Sequence, residues 1–324
     1  MRELDFNSSL AQPIQALIEQ KRAVGYRYES SGWTLYKLDQ FCIDQDYSHP
    51  FITQELAQAW IARRPTEALA TQRNRAIVIR QLGLYQARLD IESYVLPPRT
   101  LPPKEHYEPY IFSDQELSDL FKQIDACQYC SWMPLRHLIM PLLFRLLYRC
   151  GLRLSEALHL RVCDVDIEQG VLRIMDGKFN NDRLVPLSQT TWNRCREYHQ
   201  SVHHTSDDQS WFFPAPGGRP LTKGNVYKNY RRFLWQARIS HGGWGKGPRL
   251  HDLRHTYCVH CLRHWVHEKA DLTACLPLLK TYVGHYSFQD TARYLRLTAE
   301  LYPDIIEKSQ SVFEQLIPAS PNEG

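Results

Sequence analysis

His251-Asp252-Leu253-Arg254-His255-Thr256 is followed by Val283-Gly284-His285 and then, nine residues on, by Tyr294. Upstream, Gly151-Leu152-Arg153-Leu154-Ser155-Glu156 contributes a second arginine with a carboxylate one helical turn behind it. Two arginines, two histidines and a tyrosine form a set suited to gripping and attacking a phosphodiester. A guanidinium offers paired donors to phosphate oxygens, an imidazole donates or shuttles a proton near neutral pH, and a phenol can act as nucleophile. Taken singly, each residue has an ordinary reading: tyrosines pack in cores, histidines are satisfied at surfaces, and Arg-x-x-Glu is a surface ion pair.

Cutting a phosphodiester without water or metal requires a nucleophile, neutralisation of the phosphorane and an acid for the departing 5′-oxygen. Tyr294 is a candidate nucleophile, with Tyr282, Tyr286 and Tyr302 as competitors. Arg153 and Arg254 would clamp the non-bridging oxygens, since neither loses its proton, and Glu156 would orient Arg153. His251 and His285 are placed as phosphate donors or proton shuttles. Lys178 lies in the turn Asp176-Gly177-Lys178-Phe179-Asn180-Asn181-Asp182, where an ammonium can swing toward a leaving oxygen, and is the candidate acid. His255, His260, His264 and His267 are not at consistent one-face spacing with the pair Cys258 and Cys261 and read as surface, packing or backbone-bonded residues.

The 324 residues, 43% of them hydrophobic, are material for two domains rather than one. No long apolar run or leader-like start is present, so no membrane partner and a cytoplasmic, nucleoid-associated location are expected. The formal charge of +4 is a weak pointer to an anionic partner, and its distribution says more. Between Arg219 and Arg254 stand Lys223, Lys228, Arg231, Arg232, Arg238, Lys246 and Arg249, opposed only by Asp252. If one face gathers them, they form a phosphate footprint. The nine cysteines are expected to be reduced thiols. Cys127 and Cys130, like Cys258 and Cys261, have zinc-ligand spacing but read as packing positions, so neither metal nor cofactor is expected.

The paired prolines of Val95-Leu96-Pro97-Pro98-Arg99-Thr100-Leu101-Pro102-Pro103 mark a linker over 95–110, because proline stops helices and favours extended backbone. Before it, residues 1–98 read as helices over 13–24, 31–43, 53–62 and 66–90. Arg73 and Arg80, seven apart on the last of these, share a face and are candidate DNA contacts. After it, residues 111–302 begin with Ser113 and Glu116 as a capping box, continue with a helix over 135–148 ended by Gly151, and resume helix over 155–160. Strands over 171–175 and 183–187 flank the turn that carries Lys178, and helices follow. In the segment 225–238, Lys228, Arg231 and Arg232 are candidate phosphate contacts, joined by Lys246 and Arg249, while Tyr227, Tyr230 and Trp235 read as core. The tail 303–324 carries an amphipathic stretch over 303–316, which suits docking on a neighbouring subunit or on its own domain.

Over essentially its whole length the chain resembles the tyrosine recombinases, or phage-type integrases. The resemblance is carried by Gly151 to Leu158, by Gly177-Lys178 with Asp182 to Leu187, by His251 to Thr256, and by Val283-Gly284-His285 through Tyr294. In that family the nucleophile follows the Gly-His motif by nine residues, which selects Tyr294 among the tyrosines. The turn is often written with two lysines. Here the second position is Asn181, which leaves Lys178 as the acid. The resemblance implies a mostly α fold: a helical, SAM-like core-binding domain joined to a helical catalytic domain with a small β-hairpin or sheet, closed around DNA as a C-shaped clamp. It further implies strand exchange through 3′-phosphotyrosine links by a homo-tetramer on double-stranded DNA with specific core sites, without ATP or metal. Arg22 to Tyr28, Tyr230 to Trp235 and Tyr294 to Pro303 look like recombinases of bacterial transposons and mobile elements, sometimes encoded with companion recombinases. Integration, excision or transposition is then the expected activity, with a non-catalytic DNA-binding accessory protein as the alternative. A type IB topoisomerase shares the chemistry, but the two-domain layout and the Gly-His motif argue against it.

Overall fold

The computed structural model describes residues 4–103, 108–175, 182–240, 242, 247–285 and 287–301. The chain divides into two compact units, Met1–Glu108 and Pro109–Gly324.

In the first unit α1 (Ala11–Ala23), α2 (Glu29–Asp44), α3 (Gln54–Ile61) and α4 (Leu69–Ala87) pack around Leu10, Ile14, Leu35, Leu38, Trp60, Ile79 and Leu82. The Thr53 hydroxyl caps α3 by accepting from the Leu56 amide at 3.2 Å. The expected start at Thr66 moves to Leu69, so α4 is shorter at both ends than its sequence pattern suggests. Arg75 on α4 is buried, stacked over the Trp60 ring and ion-paired with Glu67. The proline-rich stretch does not stand off as a free linker: Leu96 is buried in this core and Leu101 packs against it.

The second unit opens on the capping box at Ser113, whose hydroxyl accepts from the Glu116 amide at 3.2 Å while Glu116 accepts from the Ser113 amide at 2.9 Å. α5 (Asp114–Asp125) and α6 (Arg136–Arg149) follow, then α7 (Leu154–Leu158). The expected two-stranded hairpin is a three-stranded antiparallel sheet, β1 (Val165–Asp166), β2 (Val171–Ile174) and β3 (Arg183–Pro186), with Leu172 opposite Val185 and Ile174 opposite Arg183. α8 (Gln189–Val202), α9 (Lys223–Gln236), α10 (Asp252–His267), α11 (Leu272–Val283) and α12 (Phe288–Leu301) complete the unit. One core gathers Leu143, Phe144, Leu172, Val185, Phe212, Phe233 and Leu253; another gathers Cys258, Val259, Leu262, Leu276, Leu279, Val283 and Tyr294. α10 contributes to both, so it is covered on two sides and can bury a charged residue such as Arg254. Among the described residues no helix is long and apolar enough to cross a membrane.

Candidate active site

The C-terminal end of α11 organises the site. A helix leaves its last carbonyls without amide partners and carries partial negative charge there, which favours cations. Three successive carbonyls each accept from a different arginine. Tyr282 O takes Arg183 Nε at 2.8 Å, Val283 O takes Arg254 Nη2 at 2.6 Å and Gly284 O takes Arg153 Nη2 at 2.6 Å. Gly284 makes the turn possible. Its φ of +67° is one that side-chain-bearing residues rarely adopt, and an added Cβ would lie 2.7 Å from Arg183 Nη1.

Glu156 supplies the opposite charge. Its Oε1 accepts from Arg153 Nη1 at 2.6 Å, and its two oxygens accept from the Arg183 guanidinium at 3.1 and 2.9 Å. It also caps α7, accepting from the Arg153 amide at 2.8 Å. Burial works to raise its carboxyl, but Arg183 and Arg153 outweigh that and hold it at about 2. Arg254 is 2% exposed and donates from its other amino group to Gly151 O. Burial, with Arg153 nearby, lowers it to about 10, which leaves it charged at neutral pH. Arg183 emerges here as a site residue that the sequence analysis passed over. Strand alternation held the signal, because Arg183 and Val185 face inward while the apolar Leu184 is 64% exposed.

Tyr294 is 4% exposed, on α12. Its ring stacks on His285, with centroids 5.7 Å apart and an interplanar angle of 18°. His285 is itself fixed, its Nδ1 bonded to the Thr291 hydroxyl at 2.9 Å. His251 precedes α10, open to solvent on one side and packed against protein on the other. Burial and the Arg254 and Arg153 guanidiniums push the imidazole of His251 down to about 4 and that of His285 to about 3, so both are neutral at pH 7. Asp252 is fully buried and accepts from the Arg249 amide at 2.7 Å, and the Thr256 hydroxyl accepts from the Phe112 amide at 3.1 Å.

His255 departs from expectation. Rather than a surface or packing residue, it meets the Tyr294 hydroxyl with Nδ1 at 2.7 Å. Lys178, the turn around it, Lys246, Tyr286, Tyr302 and the tail 303–324 lie outside the described residues.

The expected DNA contacts divide. Arg73 and Arg80 are half-buried and donate to Pro102 O and Leu96 O, which ties the proline-rich stretch to α4. Lys228, Arg231, Arg232 and Arg249 are exposed. On α9 Tyr230 is core, as read from the sequence, but Tyr227 is exposed and Trp235 is 80% exposed. Tyr227, Arg231 and Trp235 recur every four residues and therefore share one outward face. Among the described residues no group of three or more His, Cys, Asp or Glu is placed to hold a metal ion. Burial raises the Cys258 thiol to about 12 and the Cys261 thiol to about 11.

The chain is 31% identical to y4rB of Sinorhizobium fredii, whose name places it among the integrases and recombinases, over 95% of this chain and 99% of that one. It is 28% identical to the tyrosine recombinase XerC of Staphylococcus carnosus, over 61% of this chain and 60% of that one. In fold it is similar to XerH site-specific recombinase bound to a palindromic difH substrate, with a TM-score of 0.62, 20% identity, and coverage of 95% of this chain and 85% of that one. It is also similar in fold to the Tn1549 transposon integrase in complex with a circular-intermediate DNA, with a TM-score of 0.64, 16% identity, and coverage of 87% and 94%. The phage integrase family matches residues 112–300, the span that holds every residue of the site just described, and the chain belongs to that family of tyrosine recombinases.

Proposed function

We propose that Tyr294 is the nucleophile of a site-specific DNA recombinase that cuts and rejoins strands through a 3′-phosphotyrosine intermediate. The observation that carries this reading is the row of three arginines on the end of α11, beside the buried ring of Tyr294 and balanced by one carboxylate. A guanidinium has five N–H donors, and the bonds to Glu156, Gly284 O, Gly151 O and Val283 O use two on each of Arg153 and Arg254. The others would grip the non-bridging oxygens and neutralise the charge that grows as the Tyr294 oxygen bonds to phosphorus. Arg183 holds Glu156 and through it Arg153. His251 and His285, neutral, would donate to the same phosphate. Lys178 would give its proton to the departing 5′-oxygen, leaving the phosphotyrosine ready for attack by a new 5′-hydroxyl.

Lys228, Arg231, Arg232, Lys246 and Arg249 would contact the DNA backbone, with residues 1–98 as the core-binding domain and 111–302 as the catalytic domain. A homo-tetramer on paired core sites, with or without companion recombinases, would carry out integration, excision or transposition of a mobile element in the cytoplasm, at the nucleoid. The similarity to y4rB along its whole length supports integration and recombination of DNA segments.

The test uses nicked duplexes tiling the DNA that flanks the coding sequence, incubated without added metal and resolved on a denaturing gel. A covalent adduct with the wild type and none with Tyr294→Phe is the expected result. Binding without an adduct would favour the accessory DNA-binding role instead.

A further inference from the structure

His255 was not assigned a role by the family motifs, yet its imidazole lies within hydrogen-bond distance of the Tyr294 oxygen. It follows Arg254 directly, and consecutive helical residues point about 100° apart. Arg254 therefore turns to the end of α11 while His255 turns to α12. Its Nδ1 lies 2.7 Å from the Tyr294 hydroxyl, with ring centroids 5.6 Å apart. One turn earlier on the same face, His251 meets the His255 ring edge-on at 4.7 Å.

We propose that His255 is a catalytic residue, the proton acceptor for Tyr294. This rests on Tyr294 being the nucleophile. In the tautomer with hydrogen on Nε2, the phenol donates to Nδ1. As Tyr294 Oη bonds to phosphorus and the bond from phosphorus to O5′ breaks, the phenol proton passes to Nδ1. The 5′-oxygen takes its proton from the leaving-group acid. On rejoining, the 5′-hydroxyl bonds to phosphorus and gives its proton back to the leaving-group acid, the bond from phosphorus to Tyr294 Oη breaks, and the protonated His255 returns the proton to the departing phenol.

The groups facing His255 keep it neutral while it waits. Burial, then His251 and Arg254 from its own segment and Arg293 on α12, push it down to about 3, and His285 stacks on the Tyr294 ring. A phosphodiester bound to Arg153 and Arg254 brings negative charge into this positive field and raises the basicity of the imidazole. The base is thus strengthened by the substrate that needs it.

The experiment compares full-length wild type, His255→Ala, His255→Asn and Tyr294→Phe in two reactions on the same DNA. The first is single-turnover adduct formation on the nicked duplex. The second is joining of a strand ending in a 3′-p-nitrophenyl phosphate to a 5′-hydroxyl, carried out with His255 intact or substituted in the Tyr294→Phe background, so that only the 5′-hydroxyl can attack and p-nitrophenolate leaves without a proton. Both His255 variants should form adduct about 100-fold more slowly, or worse, while joining by the double variants stays within about threefold of Tyr294→Phe alone. Asparagine can accept a hydrogen bond but cannot take a proton. Wild-type cleavage by His255→Asn would therefore overturn the proposal and leave the bond a positioning contact. Equal loss of joining and cleavage in both variants would also overturn it, because the defect would then lie in the site as a whole. A wild type that forms no adduct, or a Tyr294→Phe variant that does, removes the nucleophile itself and is distinguished from failure of His255 by those two controls.

Discussion

Glu156→Gln should be costly out of proportion to its size, because one buried carboxylate balances two guanidiniums, one of them buried with it. The side chains of Glu156 and Arg183 are each 4% exposed, and that of Arg153 is 21% exposed. Holding the carboxyl at about 2 instead of its ordinary 4.5 corresponds to about 3 kcal/mol, at about 1.4 kcal/mol per pH unit. Removing one member of a buried pair independently suggests about 3 to 5 kcal/mol, since the partner stays buried and uncompensated. Urea unfolding at pH 7, with hydrogen exchange of the α7 and β3 amides to localise the loss, measures this directly. The variant should lose about 3 kcal/mol, and adding Arg183→Met should restore part of it by removing the stranded cation. The sign of the pH dependence follows from the lowered carboxyl. Its contribution is complete above about 4.5 and disappears as pH falls toward 2, so the gap between wild type and variant should close over that range. Arg153 also loses its anchor, so adduct formation should slow by about 100-fold. A variant within about 0.5 kcal/mol of wild type at pH 7 would refute the argument that Glu156 holds the arginines by charge.

Two further outcomes follow from the same geometry. Gly284→Ala must adopt a left-handed backbone and push against Arg183, so it should cost about 1 to 3 kcal/mol in a urea melt and reduce adduct formation; wild-type stability would mean that the turn can move without cost. His255 and His285 are held neutral well below the usual imidazole value, so the unfolded chain binds protons that the folded chain refuses. Stability should therefore be full above about 6.5 and fall as the pH drops below it, by up to about 2 to 3 kcal/mol per pH unit from the pair. Urea melts at pH 7 and pH 5 that coincide would remove that burial argument.

Much of this protein was legible from its residues because the determining interactions are local. The capping box at Ser113 and Glu116, the cap at Thr53 and the apolar period of α6 act over a few residues, and the structure contains each of them. Arg153, Arg254, His285 and Tyr294 could be singled out by side-chain type and by motif spacing that resembles the tyrosine recombinases, and the structure brings them to one place. β1 escaped because a two-residue strand has no period to detect. Trp235 was misjudged because an aromatic residue on an amphipathic helix is normally core, whereas here the polar face carries it.

The remainder belongs to the tertiary structure. Arg183 becomes part of the site only when β3 pairs with β2 and the end of α11 arrives 99 residues later in sequence. His255 meets Tyr294 across 39 residues, which no helical spacing relates, because α10 and α12 pack together. Arg73 and Arg80 reach the carbonyls of Pro102 and Leu96 only because the proline-rich stretch folds back along α4. Sequence alone determined which reactive groups the chain possesses and which segments become helices, since both are properties of side chains and near neighbours. Packing decided which of those groups share a low-dielectric space, because burial and the nearness of opposite charge arise only when distant segments meet.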